Sequence, residues 1–187
     1  MLAELLAHEG VVESCDLRGS FGFMAIHGGS LERATAEVAR AAAERCGASL
    51  YAVEQPEDFQ WHIPSHRHDP ADAPRLAAFL DHVDHVISVH GYGRDGWWTR
   101  LLLGGRDRDF ADRTARVLRA HLDGFEVIDE IADIPRELRG LHPENPVNCP
   151  GTAGVQLELP PRVRGLGPNG RPEYVDQLVT ALAAVYA

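Results

Sequence analysis

Four residues of this chain have types and positions suited to hydrolytic chemistry: His27, Glu32, His90 and Glu158. His27 follows the apolar run FGFMAI (21–26), and Glu32 comes five residues later. His90 closes HVISVH (85–90), and Glu158 lies near the end of GVQLEL (154–159). Two imidazoles and a carboxylate that leave a fourth position open are a known arrangement for catalytic zinc. A metal held in this way polarises a carbonyl and acidifies water. A carboxylate outside the ligand set can then take the water's proton and return it to the leaving amine. On this reading His27, Glu32 and His90 hold the metal, and Glu158 is the general base. Each residue alone also has a structural explanation. A histidine after a strand often braces a loop, a glutamate in the first turn of a helix favours the helix dipole, and Glu158 could lie on a solvated sheet face. The chemical reading rests on their coincidence at successive strand ends.

Such a set works if the strands that carry it end side by side. Apolar runs at 21–26, 49–54, 85–90, 99–105, 125–130 and 154–159 read as strands. Helical patterns lie between them. One starts at Ser30 as N-cap, carries Leu31, Ala34, Val38, Ala41 and Ala42 on one face, and stops at Gly47. Others cover 75–83 and 108–123, and a last one starts at Pro172. The alternation predicts an α/β fold with an open, largely parallel mixed sheet and helices on both faces. Ligands of such sheets bind beyond the carboxyl ends of the strands, where the four residues fall. Two long loops, 55–74 and 134–154, are of the length that usually serves function. The 187 residues are expected to form a single domain, 1–187.

Composition removes several alternatives. All eighteen Lys and Arg positions are arginine, which excludes Schiff-base, P-loop and Ser-Lys chemistry. The formal net charge of -10 argues against nucleic acid as a partner. No apolar run reaches the roughly 18 residues needed to span a bilayer. MLAELLAHEG lacks a basic leader segment, so no membrane partner and a cytoplasmic location are expected. Cys15, Cys46 and Cys149 have neither C-x-x-C spacing nor an even framework. Gly91, Gly93 and Gly96 spell G-x-G-x-x-G after a strand, but WWTRLLLGG follows and reads as another strand. A dinucleotide turn opens a helix, so these glycines are expected to let the loop turn close to a metal centre. His66, His68 and Asp69 in SHRHD (65–69) read as a solvated loop.

FMAIHGGSLE (23–32), WHIPS (61–65), SVHGYG (88–93), LLGGRD (102–107), HPENPVN (142–148) and GVQLELPPRVR (154–164) together resemble the poly-γ-glutamate hydrolase family. These are phage-associated zinc hydrolases related in fold to the zinc carboxypeptidases. The resemblance implies one Zn2+ per chain on His27, Glu32 and His90, with Glu158 as general base. It also implies a substrate-side or transition-state role for His62 and a substrate carboxylate held by Arg162, Arg164 and Asn148. Arg94 and Arg100 are expected to add to a locally positive field. The implied reaction is hydrolysis of amide bonds in γ-linked polyglutamate by metal-activated water, with release by phage lysis compatible with a cytoplasmic location. The chain departs from the family in two places. Arg33-Ala34-Thr35 stands where a glycine-threonine pair is usual, and Cys149 stands where arginine usually follows the asparagine block. The second change keeps open a zinc-dependent deacylase or amidohydrolase acting on a small N-acyl or γ-glutamyl amino acid. A non-enzymatic metal-binding module and a Cys149 nucleophile are the remaining alternatives.

Overall fold

The computed structural model describes residues 1–151 and 153–186; Thr152, within the expected loop 134–154, and Ala187 lie outside the described residues. In chain order the helices are α1 (Leu2–Leu6), α2 (Thr35–Cys46), α3 (Pro74–His82), α4 (Arg108–His121) and α5 (Pro172–Tyr186). The strands are β1 (Val12–Asp16), β2 (Phe21–Gly29), β3 (Ser49–Gln55), β4 (His85–Gly91), β5 (Arg100–Gly104), β6 (Glu126–Ile128) and β7 (Gly154–Leu159). They form one sheet in the order β1-β3-β2-β4-β7-β5-β6. The central strands β3, β2, β4 and β7 are parallel; β1 runs antiparallel to β3, and β5 antiparallel to β7.

The continuous apolar character of β2 follows from this central place, because a parallel strand covered on both faces has no solvated side. Its side chains alternate between two cores, as the strand's two-residue period requires. Phe23 and Ala25 pack with Val38, Ala39 and Ala42 of α2 and Leu178 and Leu182 of α5. Met24 and Ile26 pack on the other face with Leu2 and Leu5 of α1 and Leu76 and Phe79 of α3. The expected mixed α/β sheet with helices on both faces is therefore the observed one. No helix among the described residues is long and apolar enough to cross a membrane.

The structure corrects the expected start of the second element. Helix α2 begins at Thr35 and not at Ser30, whose hydroxyl donates to the Phe59 carbonyl instead of capping the helix. The cause is Gly29, at φ +73°, where a Cβ would stand 2.2 Å from the Gln55 carbonyl oxygen. The chain hugs β3 there and turns sharply before it can enter a helix. Glu32 consequently sits in a turn, its amide donating to the His27 carbonyl at 2.9 Å. That bond brings the two side chains together. Strand β1 and helix α1 carry too short and too weak a pattern for periodicity to mark them. The segment after Gly96 is a turn leading into β5, so the glycine fingerprint opens no helix.

Candidate functional site

β2 and β4 stay paired as far as Met24 opposite Ser88, and no pairing continues beyond that point. His27 and His90 lie just past it, on strands that have begun to separate. Glu32 enters the gap from the turn, and one donor atom from each of the three residues lies within 4.8 Å of the others. Glu158 faces the gap from β7, paired in register with His90, while the preceding pair on the same face is Ser88 with Gln156. Two polar pairs thus occupy one patch in otherwise apolar strands.

Hydrogen bonds from behind fix how each group is presented. His27 Nε2 lies 2.9 Å from the Ile63 carbonyl oxygen, which can only accept, so the ring proton is on Nε2. The Nδ1 lone pair then faces Glu32 Oε1 at 2.9 Å. His90 is held in a similar way: its Nε2 meets the Ser88 hydroxyl, which can donate or accept, at 2.9 Å, and its Nδ1 faces Glu32 Oε2 at 3.4 Å. The Gly91 amide donates to the same Oε2 at 2.9 Å. A lone pair and a carboxylate oxygen cannot sit face to face unless a proton or a cation lies between them. Ligand histidines in metal sites are typically oriented through their other ring nitrogen, and both histidines here are. The donor set therefore fits a divalent metal. Ser88→Ala removes the bond that orients His90; zinc affinity is expected to fall by about 10- to 100-fold, measured by competition with a chromophoric chelator.

Electrostatics separate the two carboxylates. Burial opposes charge on Glu32, but His90 and His27 beside it overcome that cost and hold the carboxyl well below its usual range. Burial likewise disfavours an imidazolium at His90, yet the Glu32 carboxylate outweighs it and raises that pKa. Glu158 shows the opposite result: burial, reinforced by the charge of Glu32, pushes it up to about 7 against the opposing effects of His90, Gln156 and Arg164. A carboxyl poised near neutrality is suited to moving a proton.

These groups line a cavity of about 350 Å³ together with His62, His66, Arg136, His142 and Asn145. His62 lies with its ring 4.9 Å from that of His27, and burial followed by the proximity of His27 lowers its pKa. The other three residues expected on the substrate side are placed elsewhere. Asn148 spends its amide on the Gly140 and His142 carbonyls, at 2.7 and 2.9 Å, and accepts from the Arg106 amide. Arg164 is buried, and its guanidinium donates to the carbonyls of Arg33 and Tyr92. It passes so close beneath Gly91 that a Cβ there would stand 2.5 Å from Nη1, so its charge acts on Glu32 and Glu158 from behind. Arg162 lines a separate cavity with Trp98 and Leu166. Arg94 and Arg100 are paired with Glu137 and Glu126.

One correction concerns the loop 55–74. Asp69 is exposed and caps a short turn as a solvated loop residue would, but His68 is fully buried, 5.3 Å from the His27 ring, and shares the Ile63 carbonyl with it. Burial pushes His68 down to about 3, so it stays neutral. Partial burial pushes the Cys149 thiol up, away from the thiolate a nucleophile needs.

Sequence reasoning missed Gln156 and Asn145. Asn145 Oδ1 accepts from the Val147 amide, which turns its Nδ2 toward Gln156 Oε1 at 2.8 Å. Gln156 then presents its own Nε2 to Glu158 Oε1 at 2.9 Å. Gln156 lies two residues before Glu158, as Ser88 lies two before His90, and a two-residue period puts each pair on one face of its strand. That signal was available in GVQLEL and SVH.

Comparison with known proteins gives a consistent picture. Residues 5–168 match the model of the poly-gamma-glutamate hydrolase family. Two Bacillus subtilis proteins are each 30% identical over 73% of this chain: the SPbeta prophage-derived UPF0714 protein YoqZ and the UPF0714 protein YndL. The chain spans 47% and 51% of their lengths, about half of each curated relative. Among solved structures, a bacteriophage poly-gamma-glutamate hydrolase superposes with a TM-score of 0.76 at 20% identity, over 97% of this chain and 91% of that one. A zinc-free structure of YndL gives 0.76 at 25% identity, over 94% and 88%. A metallo-carboxypeptidase from Burkholderia cenocepacia gives 0.56 at 10% identity, over 98% and 66%, a likeness of fold alone. With a match over residues 5–168 and relatives at 30% identity, the chain belongs to the poly-gamma-glutamate hydrolase family.

Proposed function

We propose that this protein is a zinc-dependent hydrolase that cleaves amide bonds in γ-linked polyglutamate. The observation that carries the reading is the convergence of two imidazole Nδ1 atoms and the Glu32 carboxylate on one point, with Glu158 beside them in the same cavity. His27, Glu32 and His90 would hold one zinc per chain through Nδ1, a carboxylate oxygen and Nδ1. When bound, zinc polarises the amide carbonyl and acidifies water. Glu158 takes the proton from the attacking water and delivers it to the leaving nitrogen; Gln156 holds one carboxylate oxygen and leaves the other for that transfer. His62 lines the cavity next to His27, where it can donate to developing charge on the substrate oxygen. Family membership, a relative described in a zinc-free form and a carboxypeptidase-like fold support this assignment.

The experiment is the size distribution of poly-γ-glutamate after incubation with the zinc-loaded protein, with and without a chelator. Chain shortening that the chelator abolishes and zinc restores is the expected result. Intact polymer alongside cleavage of a small γ-glutamyl amide would move the substrate class to small amino-acid conjugates and leave the metal chemistry standing. Cleavage unaffected by complete zinc removal would overturn the metal assignment.

A further inference from the structure

We propose that Arg136 is the residue that recognises the substrate's carboxylate, a role resting on the polyglutamate reading above. Every residue of a γ-linked polymer carries an α-carboxylate next to its amide bond. The polymer therefore presents a negative charge within a few bonds of the atom to be attacked. The cavity that would receive it is already lined by Glu32, Glu137 and Glu158. A fixed cation is needed to make entry favourable.

Arg136 meets that need in three ways. First, it is the one arginine among the described residues that line the site cavity. Second, it makes no hydrogen bond, ion pair or ring contact with any described residue, and it is exposed to solvent. The neighbouring arginines are committed: Arg94 to Glu137 at 2.7 Å, Arg139 to the carbonyls of Ile134 and Ala132, and Arg164 to the carbonyls of Arg33 and Tyr92. Glu137, next to Arg136 in sequence, is engaged by Arg94 and so does not neutralise it.

Third, the segment that carries Arg136 is built rigidly against the catalytic strand. Arg136–Leu138 form a 3-10 turn closed by the Leu138 amide donating to the Pro135 carbonyl. Arg139 pins the turn from behind, and its own carbonyl accepts from the Gly105 amide after β5. The Leu138 carbonyl accepts from Gln156 Nε2, the same nitrogen that donates to Glu158. The backbone beside Arg136 is thus one hydrogen bond from the amide that orients the general base. A planar guanidinium on such a turn can hold a carboxylate through two parallel bonds, which a lysine could not match.

The test is binding to zinc-loaded Glu158→Gln protein, in which substrate is held and not consumed, measured by calorimetry. The probes are a γ-linked oligoglutamate and the same oligomer with its α-carboxylates converted to carboxamides. Arg136→Gln is expected to weaken binding of the anionic oligomer by about 10- to 100-fold and to leave binding of the neutral oligomer within about twofold. Arg136→Lys should recover part of the loss. Anionic binding unchanged by Arg136→Gln overturns the assignment of Arg136 and leaves the polymer reading intact. Equal loss on both oligomers also overturns it, because the residue would then support the cavity and not read charge. No binding of either oligomer to the parent protein overturns the polymer reading itself.

Discussion

Glu158→Gln is expected to lower kcat by about 100- to 10,000-fold, the range of a positioned general base, while leaving zinc binding in place. The substitution is close to isosteric. The amide oxygen can still accept from Gln156 Nε2, the contact that now holds Glu158 Oε1, so strand register and cavity shape are retained. What is lost is a basic oxygen next to His27, Glu32 and His90. Steady-state kinetics on poly-γ-glutamate, with zinc content measured on the same samples, separates this outcome from loss of metal. A fully active variant with one zinc per chain would remove Glu158 from the mechanism.

The same carboxyl predicts a pH dependence whose sign is unusual for glutamate. Its pKa in the fold, pushed up to about 7 chiefly by burial, lies above the ordinary carboxyl value. The metal-free fold therefore holds this proton more tightly than the unfolded chain does. The contribution of Glu158 to stability is undiminished below the unfolded value and declines as pH rises from about 4.3 toward 7. Glu158→Gln removes that decline, so the metal-free variant gains stability relative to the parent above pH 7, read from urea midpoints across pH. In the zinc-loaded protein the adjacent dication favours the carboxylate, which places the acid limb of kcat/KM at or below about pH 7.

The sheet and the gathering of His27, Glu32, His90 and Glu158 at one end of it were legible in the sequence because both signals are local. Buried parallel strands read as unbroken apolar runs, and a polar residue at the carboxyl end of such a run stands out. What sequence could not supply were facts created by long-range contacts. The delayed start of α2 depends on how closely Gly29 approaches Gln55 across the sheet. The Arg164 guanidinium reads as free in a list of residues, and only the fold shows two backbone carbonyls consuming it. The Asn148 amide is likewise engaged by the Gly140 and His142 carbonyls, a contact that no local pattern marks. His68 looked solvated inside a polar pentapeptide, although the loop folds back and buries it against His27. Nothing in PRELRG (135–140) marks Arg139 as spent on backbone carbonyls and Arg136 as available.

Glu32→Gln is expected to lower zinc affinity by at least about 100-fold, more than the loss of a residue that merely orients a ligand. In the metal-free site the proton and the metal compete for the same atoms. There the two histidines hold the Glu32 carboxyl well below its usual range, and the Glu32 carboxylate in turn raises the pKa of His90. The depressed carboxyl contributes stability above its unfolded pKa and loses it as pH falls through the folded one. The raised imidazole contributes below its unfolded pKa and loses it as pH rises through the folded one. Metal binding replaces the proton between these groups, because the His90 Nδ1 lone pair cannot hold both. Zinc uptake by the parent protein therefore releases protons, and its affinity weakens as pH falls below the pKa of His90, by about tenfold per pH unit for each proton displaced. Glutamine takes away the negative charge that both attracts the metal and raises His90. The variant thus loses affinity and also loses most of the pH slope. The Glu32 amide still donates to the His27 carbonyl, so the turn survives and circular dichroism stays at the parent value. Competition titrations at several pH values read both effects together: a variant with parent-like affinity and slope would place the metal on some other donor set.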